Sequence, residues 1–312
     1  MANPETSKPP LIVVAGPTAS GKSALALDLA ADLDGIILSA DSRQVYRGFD
    51  IGTAKPTAEE LASVPHRLID IVEPTETFTA AQFRDLARAE IAEAHAQGRM
   101  PILAGGTGLY IRAVLGGYAI PEVPPDPELR AKLETLENPH AALAEVDAVS
   151  AARLHPNDRV RVIRALEVYQ LTGKPISELQ TREESPYRVT FLALGWPRET
   201  LYERINLRTI QMFETGLSDE VQALAKRYGA DLPLLSTLGY AETLRWQQGE
   251  ITQEEAIALI QQNTRRYAKR QVTWFRREPD VVWLDPQQYA SPRALSDAAR
   301  EIVDQQLAKT QP

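Results

Sequence analysis

Short apolar runs alternate with helical patterns along the first hundred residues. These runs contain few polar residues, which is typical of strands buried on both faces of a parallel sheet. The predicted strands are 11–15, 36–38, 68–72 and 101–104. The predicted helices are about 23–33, with Leu25, Leu29 and Leu33 on one face, and the segment from Thr79, a suitable N-cap, toward Gly98. Repeated strand–helix units of this kind predict an open parallel sheet, whose ligands bind beyond the carboxyl ends of the strands.

The pattern changes near residue 120, where four prolines fall within the string PEVPPDPELR and indicate a boundary. The segments after it are helical from 127 to about 178, strand-like at 187–194, helical from 199 to the mid-270s and strand-like at 281–284. We therefore predict an α/β core formed by residues 1–120 and 187–312, with an all-helical insertion domain over 121–186.

A glycine-bearing turn joins the first predicted strand to the first predicted helix. Gly16-Pro17-Thr18-Ala19-Ser20-Gly21-Lys22-Ser23 matches G-x-x-x-x-G-K-[ST], and its position between a strand and a helix is the context that a P-loop requires. Backbone N–H groups of such a loop surround an anion, Lys22 reaches a terminal phosphate, and the Ser23 hydroxyl can bind Mg²⁺. The motif thus predicts a P-loop NTPase-like parallel sheet flanked by helices, and a phosphate ligand whose identity it leaves open.

Asp41 follows the second predicted strand and should therefore lie at the carboxyl edge of the sheet, beside the P-loop. A carboxylate at that edge could hold a metal ion, act as a general base, or cap a turn. No apolar run ends in the Asp-Asp or Asp-Glu pair that is typical of nucleotide hydrolases, which weakens an ATPase interpretation.

Composition first favours a small-molecule enzyme. The 312 residues include no cysteine, which excludes disulfides, thiolate metal sites and cysteine nucleophiles. We expect no signal peptide, because the start MANPETSKPP lacks a basic segment followed by an apolar stretch. We expect no membrane span, because no apolar run approaches about 18 residues. A formal net charge of −8 counts against a nucleic-acid partner, since phosphate repels a negative body. These features together predict an acidic, cytoplasmic enzyme.

Longer strings then point to a family. GPTASGKS is followed in order by SADSRQVYRGFDIGTAKPT, PHRLIDIVEP, GGTGLYIRAVLGG, HPNDRVRVIRALEVYQLTGKPIS, GLSDEVQAL, LGYAE and TRRYAKRQVTWFRR. This series spans nearly the whole chain and resembles the tRNA dimethylallyltransferases, also called tRNA isopentenyltransferases. Members of that family transfer a dimethylallyl group from dimethylallyl diphosphate to N6 of the adenosine at tRNA position 37, beside the anticodon.

The resemblance implies a role for each part of the P-loop region. Residues 16–23 would hold the diphosphate leaving group, while Lys22, Arg208 and a Mg²⁺ ion on Ser23 neutralise its charge. Asp41 matches the general base that takes a proton from the adenine amine. The implied catalytic residues are therefore Asp41, Lys22, Ser23 and Arg208.

The resemblance also implies a tRNA anticodon stem-loop as partner, with the target base flipped out of its stack. The implied tRNA-binding residues are Asp41, Ser42, Arg43, Gln44, Thr107, Arg130, Arg159, Arg161, Arg164, Arg265, Lys269 and Arg270. Arg43 and Gln44 stand where many members carry smaller or apolar residues. We expect a monomer without a membrane partner.

The charge distribution reconciles an acidic chain with RNA. Residues 259–278 hold six basic side chains and one acidic one, a local +5, so the remaining 292 residues carry −13.

Two alternative functions remain open at this point. A small-molecule or nucleotide kinase shares the P-loop and the parallel sheet, and an RNA-binding protein could use the P-loop only to sense a ligand.

Overall fold

A computed structural model describes residues 8–116, 121, 123–180 and 184–308. Its contacts divide the chain into two compact units. Met1–Ile111 and Pro186–Pro312 form the first, which we call the core unit, and Arg112–Ser185 forms the second, the helical unit. The chain thus leaves the core unit after Ile111 and returns to it at Pro186.

The described residues contain six strands, all parallel, in one sheet of order β3-β2-β4-β1-β5-β6. The strands are β1 Pro10–Ala15, β2 Gly35–Ser39, β3 His66–Arg67, β4 Met100–Gly105, β5 Arg188–Leu194 and β6 Val281–Leu284. The helices are α1 Lys22–Asp32, α2 Ala58–Ser63, α3 Ala80–Ala96, α4 Gly108–Leu115, α5 Pro127–Glu134, α6 Pro139–Val146, α7 Ala148–Arg153, α8 Arg159–Thr172, α9 Ile176–Leu179, α10 Arg198–Glu214, α11 Leu217–Tyr228, α12 Tyr240–Gln247, α13 Gln253–Phe275 and α14 Pro292–Ala308. The α/β prediction is confirmed. None of the helices within the described ranges is both long and apolar enough to span a membrane.

Strand β1 is one of the two central strands of the sheet. Its residues Leu11–Ala15 are at most 1% exposed, and Val13 pairs with Leu103 of β4 on one side and Phe191 of β5 on the other. The continuous apolar run that predicts this strand reflects burial on both faces. Because parallel strands run in one direction, the loops after β1, β2 and β4 emerge at the same edge.

One predicted strand is wrong. The segment 68–72 is not a strand; β3 ends at Arg67, and Leu68 and Asp70 both have left-handed backbones, with φ of 65° and 55°. The carboxylate of Asp70 lies 2.5 Å from the Nζ atom of Lys55, a side chain only 6% exposed. The apolar composition of this segment favours a strand, but the chain forms a loop here, and that loop carries the long-range ion pair. The other predicted strands begin and end within one residue of the observed ones.

The helical unit has its own apolar core and a buried charge cluster. Leu143, Val162 and Val168 are fully buried in that core. The Glu167 side chain is 0% exposed and accepts two hydrogen bonds from Arg130, at 2.8 and 2.9 Å. Arg164 donates to the same carboxylate. Burial alone would raise the pKa of Glu167, but these arginine hydrogen bonds lower it.

We expect Glu167→Gln to destabilise the helical unit by about 3 kcal/mol, because breaking a buried ion pair leaves the remaining charges without compensation. The lowered pKa also has a consequence for pH. The stabilisation by Glu167 is present above the ordinary carboxyl pKa of 4.5 and is lost as the pH falls through the lower, folded-state pKa. Denaturant unfolding as a function of pH should therefore show a smaller acid-side loss in the variant than in the wild type. Exposed Glu145 on α6 supplies the control, Glu145→Gln, which should shift stability by less than about 0.5 kcal/mol.

Candidate active site

The turn between β1 and α1 has the backbone of an anion-binding loop. Ala19 and Gly21 have left-handed φ values of 62° and 90°, and α1 begins directly afterwards at Lys22. Alternating left- and right-handed residues in this way makes successive backbone N–H groups line a concave nest. The N-terminus of α1 adds the positive end of its dipole. The sequence motif and the observed geometry therefore point to the same ligand chemistry.

Two side chains that are distant in sequence from this loop donate hydrogen bonds to its carbonyls. The indole Nε1 of Trp196 donates to the carbonyl of Ser20 at 2.8 Å, and Nε of Arg204 donates to the carbonyl of Ala19 at 2.7 Å. The Arg204 guanidinium also lies 4.5 Å from the centre of the Trp196 ring. These contacts fix the two peptide units without a ligand. Neither residue is predicted from the sequence, although Arg204 lies one turn before Arg208 on α10 and so shares its face.

Lys22 and Arg208 bring two positive charges to the mouth of the loop. The Nζ atom of Lys22 lies 3.4 Å from the carbonyl oxygen of Pro17, and Arg208 donates to the hydroxyl of Thr18 at 3.2 Å. Burial lowers the pKa of Lys22 to about 8; repulsion by Arg208 adds to this shift, and the charge of Asp41 opposes it. Burial likewise lowers the pKa of Arg208. Two partly desolvated cations at such close range make a site that an anion would stabilise.

The loop after β2 holds Asp41 in a network of backbone and side-chain hydrogen bonds. Asp41 Oδ1 accepts the N–H of Arg43 at 2.8 Å, and the N–H of Ser42 donates to the Thr107 hydroxyl at 3.0 Å. Gln44 accepts from the Ser39 hydroxyl at 2.8 Å and donates to the carbonyl of Ala54 at 2.9 Å. Thr107 and Gln44 therefore anchor the loop on either side of the carboxylate.

The phosphate loop and Asp41 line the same cavity, of about 420 Å³. Its lining includes Thr18, Lys22, Ser23, Asp41, Ser42, Arg43, Gln44, Arg208, Tyr267, Arg270 and Gln271. Burial, assisted by the nearby charge of Asp41, raises the pKa of Tyr267 to about 12. A neighbouring cavity of about 570 Å³ shares Lys22, Ser23 and Arg208 and is bounded by the apolar side chains of Leu27, Ile37 and Ile69 among others. Cations, a carboxylate and an apolar wall are thus available to one ligand with a charged and an uncharged part.

Comparison with known proteins identifies the family. The family described as IPP transferase matches residues 44–278 of the chain. The chain belongs to the IPP transferase family. A tRNA dimethylallyltransferase of Thermosynechococcus vestitus is 54% identical over 277 residues, which cover 88% of this chain and 89% of the relative. A relative of the same name from Gloeobacter violaceus is 50% identical, covering 96% and 99%.

Two solved structures extend the family likeness to the fold. The full-length tRNA isopentenylpyrophosphate transferase of Bacillus halodurans is 41% identical, with a TM-score of 0.74 and coverage of 97% of this chain and 98% of that one. A eukaryotic dimethylallyltransferase described as acting on tRNA is 28% identical, with a TM-score of 0.82 and coverage of 97% and 80%. The IPP transferase family fold is thus present along this chain, which is a transferase.

The basic residues that the family resemblance assigns to tRNA in the helical unit have protein partners. Arg130 and Arg164 both pair with Glu167. Arg159 donates to the carbonyl of Glu134 at 2.8 Å, and Arg161 lies 3.3 Å from Asp158. Their contact with RNA stays a prediction. To contact RNA, these arginines must either break their present hydrogen bonds or take phosphate as an additional acceptor.

The three basic residues assigned to tRNA on α13 differ in their surroundings. Arg265 donates to Asn206 of α10 at 2.8 Å and so ties two helices together. Lys269 and Arg270 are exposed, and the Arg270 guanidinium lies 5.7 Å from the centre of the Tyr267 ring. Lys269 and Arg270 therefore present the cationic surface that RNA phosphate needs, and their role stays a prediction.

The residues at the loop fit a divalent cation that is bound mainly by substrate. Among the residues that the structure describes, no group of three or more histidine, aspartate or glutamate side chains could hold a metal ion. Mg²⁺, however, commonly keeps several waters and takes one or two protein oxygens plus phosphate oxygens. The exposed hydroxyl of Ser23, in the first turn of α1, can supply one such oxygen.

The lowered pKa of Lys22 makes diphosphate binding depend on pH. We expect the affinity for inorganic diphosphate to fall by about tenfold between about pH 7 and pH 9, because the ammonium deprotonates as the pH rises through its pKa of about 8. Lys22→Met should bind diphosphate weakly at both pH values. Its affinity should not show the part of the pH dependence that comes from the Lys22 ammonium. Titration calorimetry on both proteins measures the difference, since the titration of diphosphate itself is common to them. Equal slopes in the two proteins would contradict the assignment of Lys22 to the anion.

Proposed function

We propose that this transferase moves a dimethylallyl group from dimethylallyl diphosphate to N6 of the adenosine at position 37 of tRNA and releases diphosphate. The observation that carries the proposal is the shared cavity, lined by the phosphate loop with Lys22 and Arg208 and also by the carboxylate of Asp41. The reaction joins a diphosphate ester to a nucleophile that must lose a proton. It therefore needs cations at the leaving group and a carboxylate at the nucleophile, on either side of one reaction centre. The names of the relatives, tRNA dimethylallyltransferase, support the same chemistry.

The diphosphate occupies residues 16–23 in this proposal. Backbone N–H groups of the nest and the α1 dipole bind its oxygens. Lys22 and Arg208 lie where negative charge grows as the C1–O bond breaks, so they stabilise the transition state more than the ester. Mg²⁺, held by Ser23 and the diphosphate oxygens, would supply further charge neutralisation when bound.

Asp41 acts as the general base. The N6 amine of adenine is a poor nucleophile, because its lone pair is delocalised into the ring. As N6 bonds to C1 of the dimethylallyl group, one N6 proton passes to the Asp41 carboxylate and the C1–O electron pair leaves with the diphosphate. The hydrogen bond from the Arg43 N–H to Asp41 Oδ1, 2.8 Å long, orients the carboxylate for this transfer.

The partner is the anticodon stem-loop of tRNA. Bases stacked in a helix cannot reach a cavity, so the adenosine flips out of its stack. Ser42, Arg43 and Gln44 line the cavity beside Asp41 and would contact the flipped nucleotide, while Lys269 and Arg270 bind phosphate. We further propose that the enzyme acts as a monomer on cytoplasmic tRNA.

Incubation of the protein with tRNA, dimethylallyl diphosphate and Mg²⁺ without ATP tests the proposal. Mass spectrometry of the digested nucleosides should find adenosine with an added dimethylallyl group, at position 37 only. A kinase, the alternative that the P-loop also permits, would need ATP and would leave the tRNA unchanged. An obligatory ATP requirement with no prenylated adenosine would exclude the transferase.

We expect Asp41→Asn to lower turnover by about 10²- to 10⁴-fold, the usual contribution of a general base. The amide keeps an oxygen for the Arg43 N–H but cannot take the proton, so tRNA affinity should stay within about threefold of the wild-type value. Single-turnover prenylation and filter binding measure the two quantities. Asp280→Asn, at an exposed aspartate just before β6, is the matched control and should leave both unchanged. Unchanged turnover in Asp41→Asn would remove this residue from the base role.

Binding of tRNA should weaken steeply with salt despite the net charge of −8, because counterions are released where cations meet phosphate. We expect Lys269→Gln to reduce the slope of log affinity against log salt concentration by about one. Lys226→Gln, at an exposed lysine of α11, removes the same charge away from α13 and should leave the slope unchanged. Equal slopes for the wild type and Lys269→Gln would show that Lys269 does not contact phosphate.

A further inference from the structure

Gln271 of α13 bonds to two loops of the active site at once. Its side chain is buried, at 6% exposure, and Oε1 accepts the N–H of Thr18 in the phosphate loop at 2.9 Å. Its Nε2 donates to the carbonyl of Gly106, in the loop after β4, also at 2.9 Å. An amide makes this arrangement at any pH, because one end accepts and the other donates.

The loop after β4 lies directly against α13 at two glycines, Gly106 and Gly108. A Cβ atom at Gly106 would lie 2.3 Å from Nε2 of Gln271, and one at Gly108 would lie 2.2 Å from the Trp274 ring. A side chain at either position would force the loop or the facing side chain of α13 to shift. The glycines of the GGTG string therefore allow close packing on α13, and this packing leaves the Gln271 amide little freedom to move.

The contacts of Gln271 continue to the proposed base. Thr107 follows Gly106, and its hydroxyl accepts the N–H of Ser42 at 3.0 Å, one residue after Asp41. Tyr267, one turn before Gln271 on α13, also hydrogen-bonds Thr107. A continuous path of hydrogen bonds and single peptide units thus joins the loop for the leaving group to the loop for the base.

We infer that Gln271 is a positioning residue, which sets the distance between the diphosphate loop and the Asp41 loop and so aligns the electrophile with the nucleophile. The inference rests on the proposed function, because it concerns the alignment of that reaction. Bond formation needs the reacting atoms within about 3–3.5 Å, and a shift of about 1 Å can cost about a hundredfold in rate. Binding of diphosphate alone needs only one of the two loops.

Two substitutions test this role. Gln271→Met has a similar volume and removes both hydrogen bonds without adding charge, so kcat should fall by about tenfold or more. The Kd for inorganic diphosphate, measured by calorimetry, should change by less than about threefold. Gln262→Met, at an exposed glutamine of the same helix, should change neither quantity.

Gln271→Glu supplies a signature that a packing defect does not give. The ionised carboxylate accepts from Thr18 but cannot donate to Gly106, whereas the protonated acid can do both, and burial favours protonation. The activity ratio of Gln271→Glu to wild type should therefore rise by at least about tenfold as the pH falls from about 8 to about 6. The ratio for the Gln262→Glu control should stay constant, because this exposed side chain makes neither of the two hydrogen bonds of Gln271.

The outcomes are distinct. A low kcat with unchanged diphosphate binding in Gln271→Met, together with recovery of Gln271→Glu at lower pH, supports the positioning role. Turnover within about threefold of wild type in both variants, or a ratio that does not change with pH, overturns it while the proposed function stands. If the wild type forms no prenylated adenosine, the proposed function fails, and the positioning role fails with it.

Discussion

Parallel pairing of β1, β2 and β4 determines the position of every loop that the proposed chemistry uses. Strands that run in one direction end at one edge, so the phosphate loop after β1, the Asp41 loop after β2 and the glycine-rich loop after β4 are neighbours. The register aligns Ala15 of β1 with Gly105 of β4. Strand direction brings the three loops to one edge, and the absence of a side chain at Gly105 lets the loop after β4 approach Ala40 at the end of β2.

Recognition of an anion by backbone N–H groups creates a second requirement. Peptide units that turn their N–H groups toward a ligand turn their carbonyls away from it, and those carbonyls need donors of their own. Trp196 and Arg204 supply donors to Ser20 and Ala19. They belong to the part of the core unit that follows the helical unit. The return of the chain is therefore part of the anion site, in addition to completing the sheet.

The sequence was sufficient where function depends on local pattern and insufficient where it depends on long-range contacts. The shared position of Lys22 and Asp41 at the carboxyl edge of the sheet could be predicted because a motif or a strand end marks each of them. Gln271 lies inside a family string but has no local signal, since its partners Thr18 and Gly106 are 253 and 165 residues away. The segment 68–72 was misread for the same reason, because its apolar pattern does not reveal the Lys55–Asp70 ion pair.

Net charge is a poor guide to the surface that this chain offers a partner, because charge is unevenly distributed along the sequence and some carboxylates pair within the fold. Glu220 accepts the N–H groups of Asp50, Ile51 and Gly52, and Glu167 receives two arginines. These donors compensate both carboxylates locally. The exposed Lys269 lies on α13, within a segment (259–278) that carries a local +5 although the total charge is −8. An RNA phosphate bound at α13, as proposed, would respond to this local charge more than to the total, since ions screen charges beyond about 8–10 Å at physiological salt.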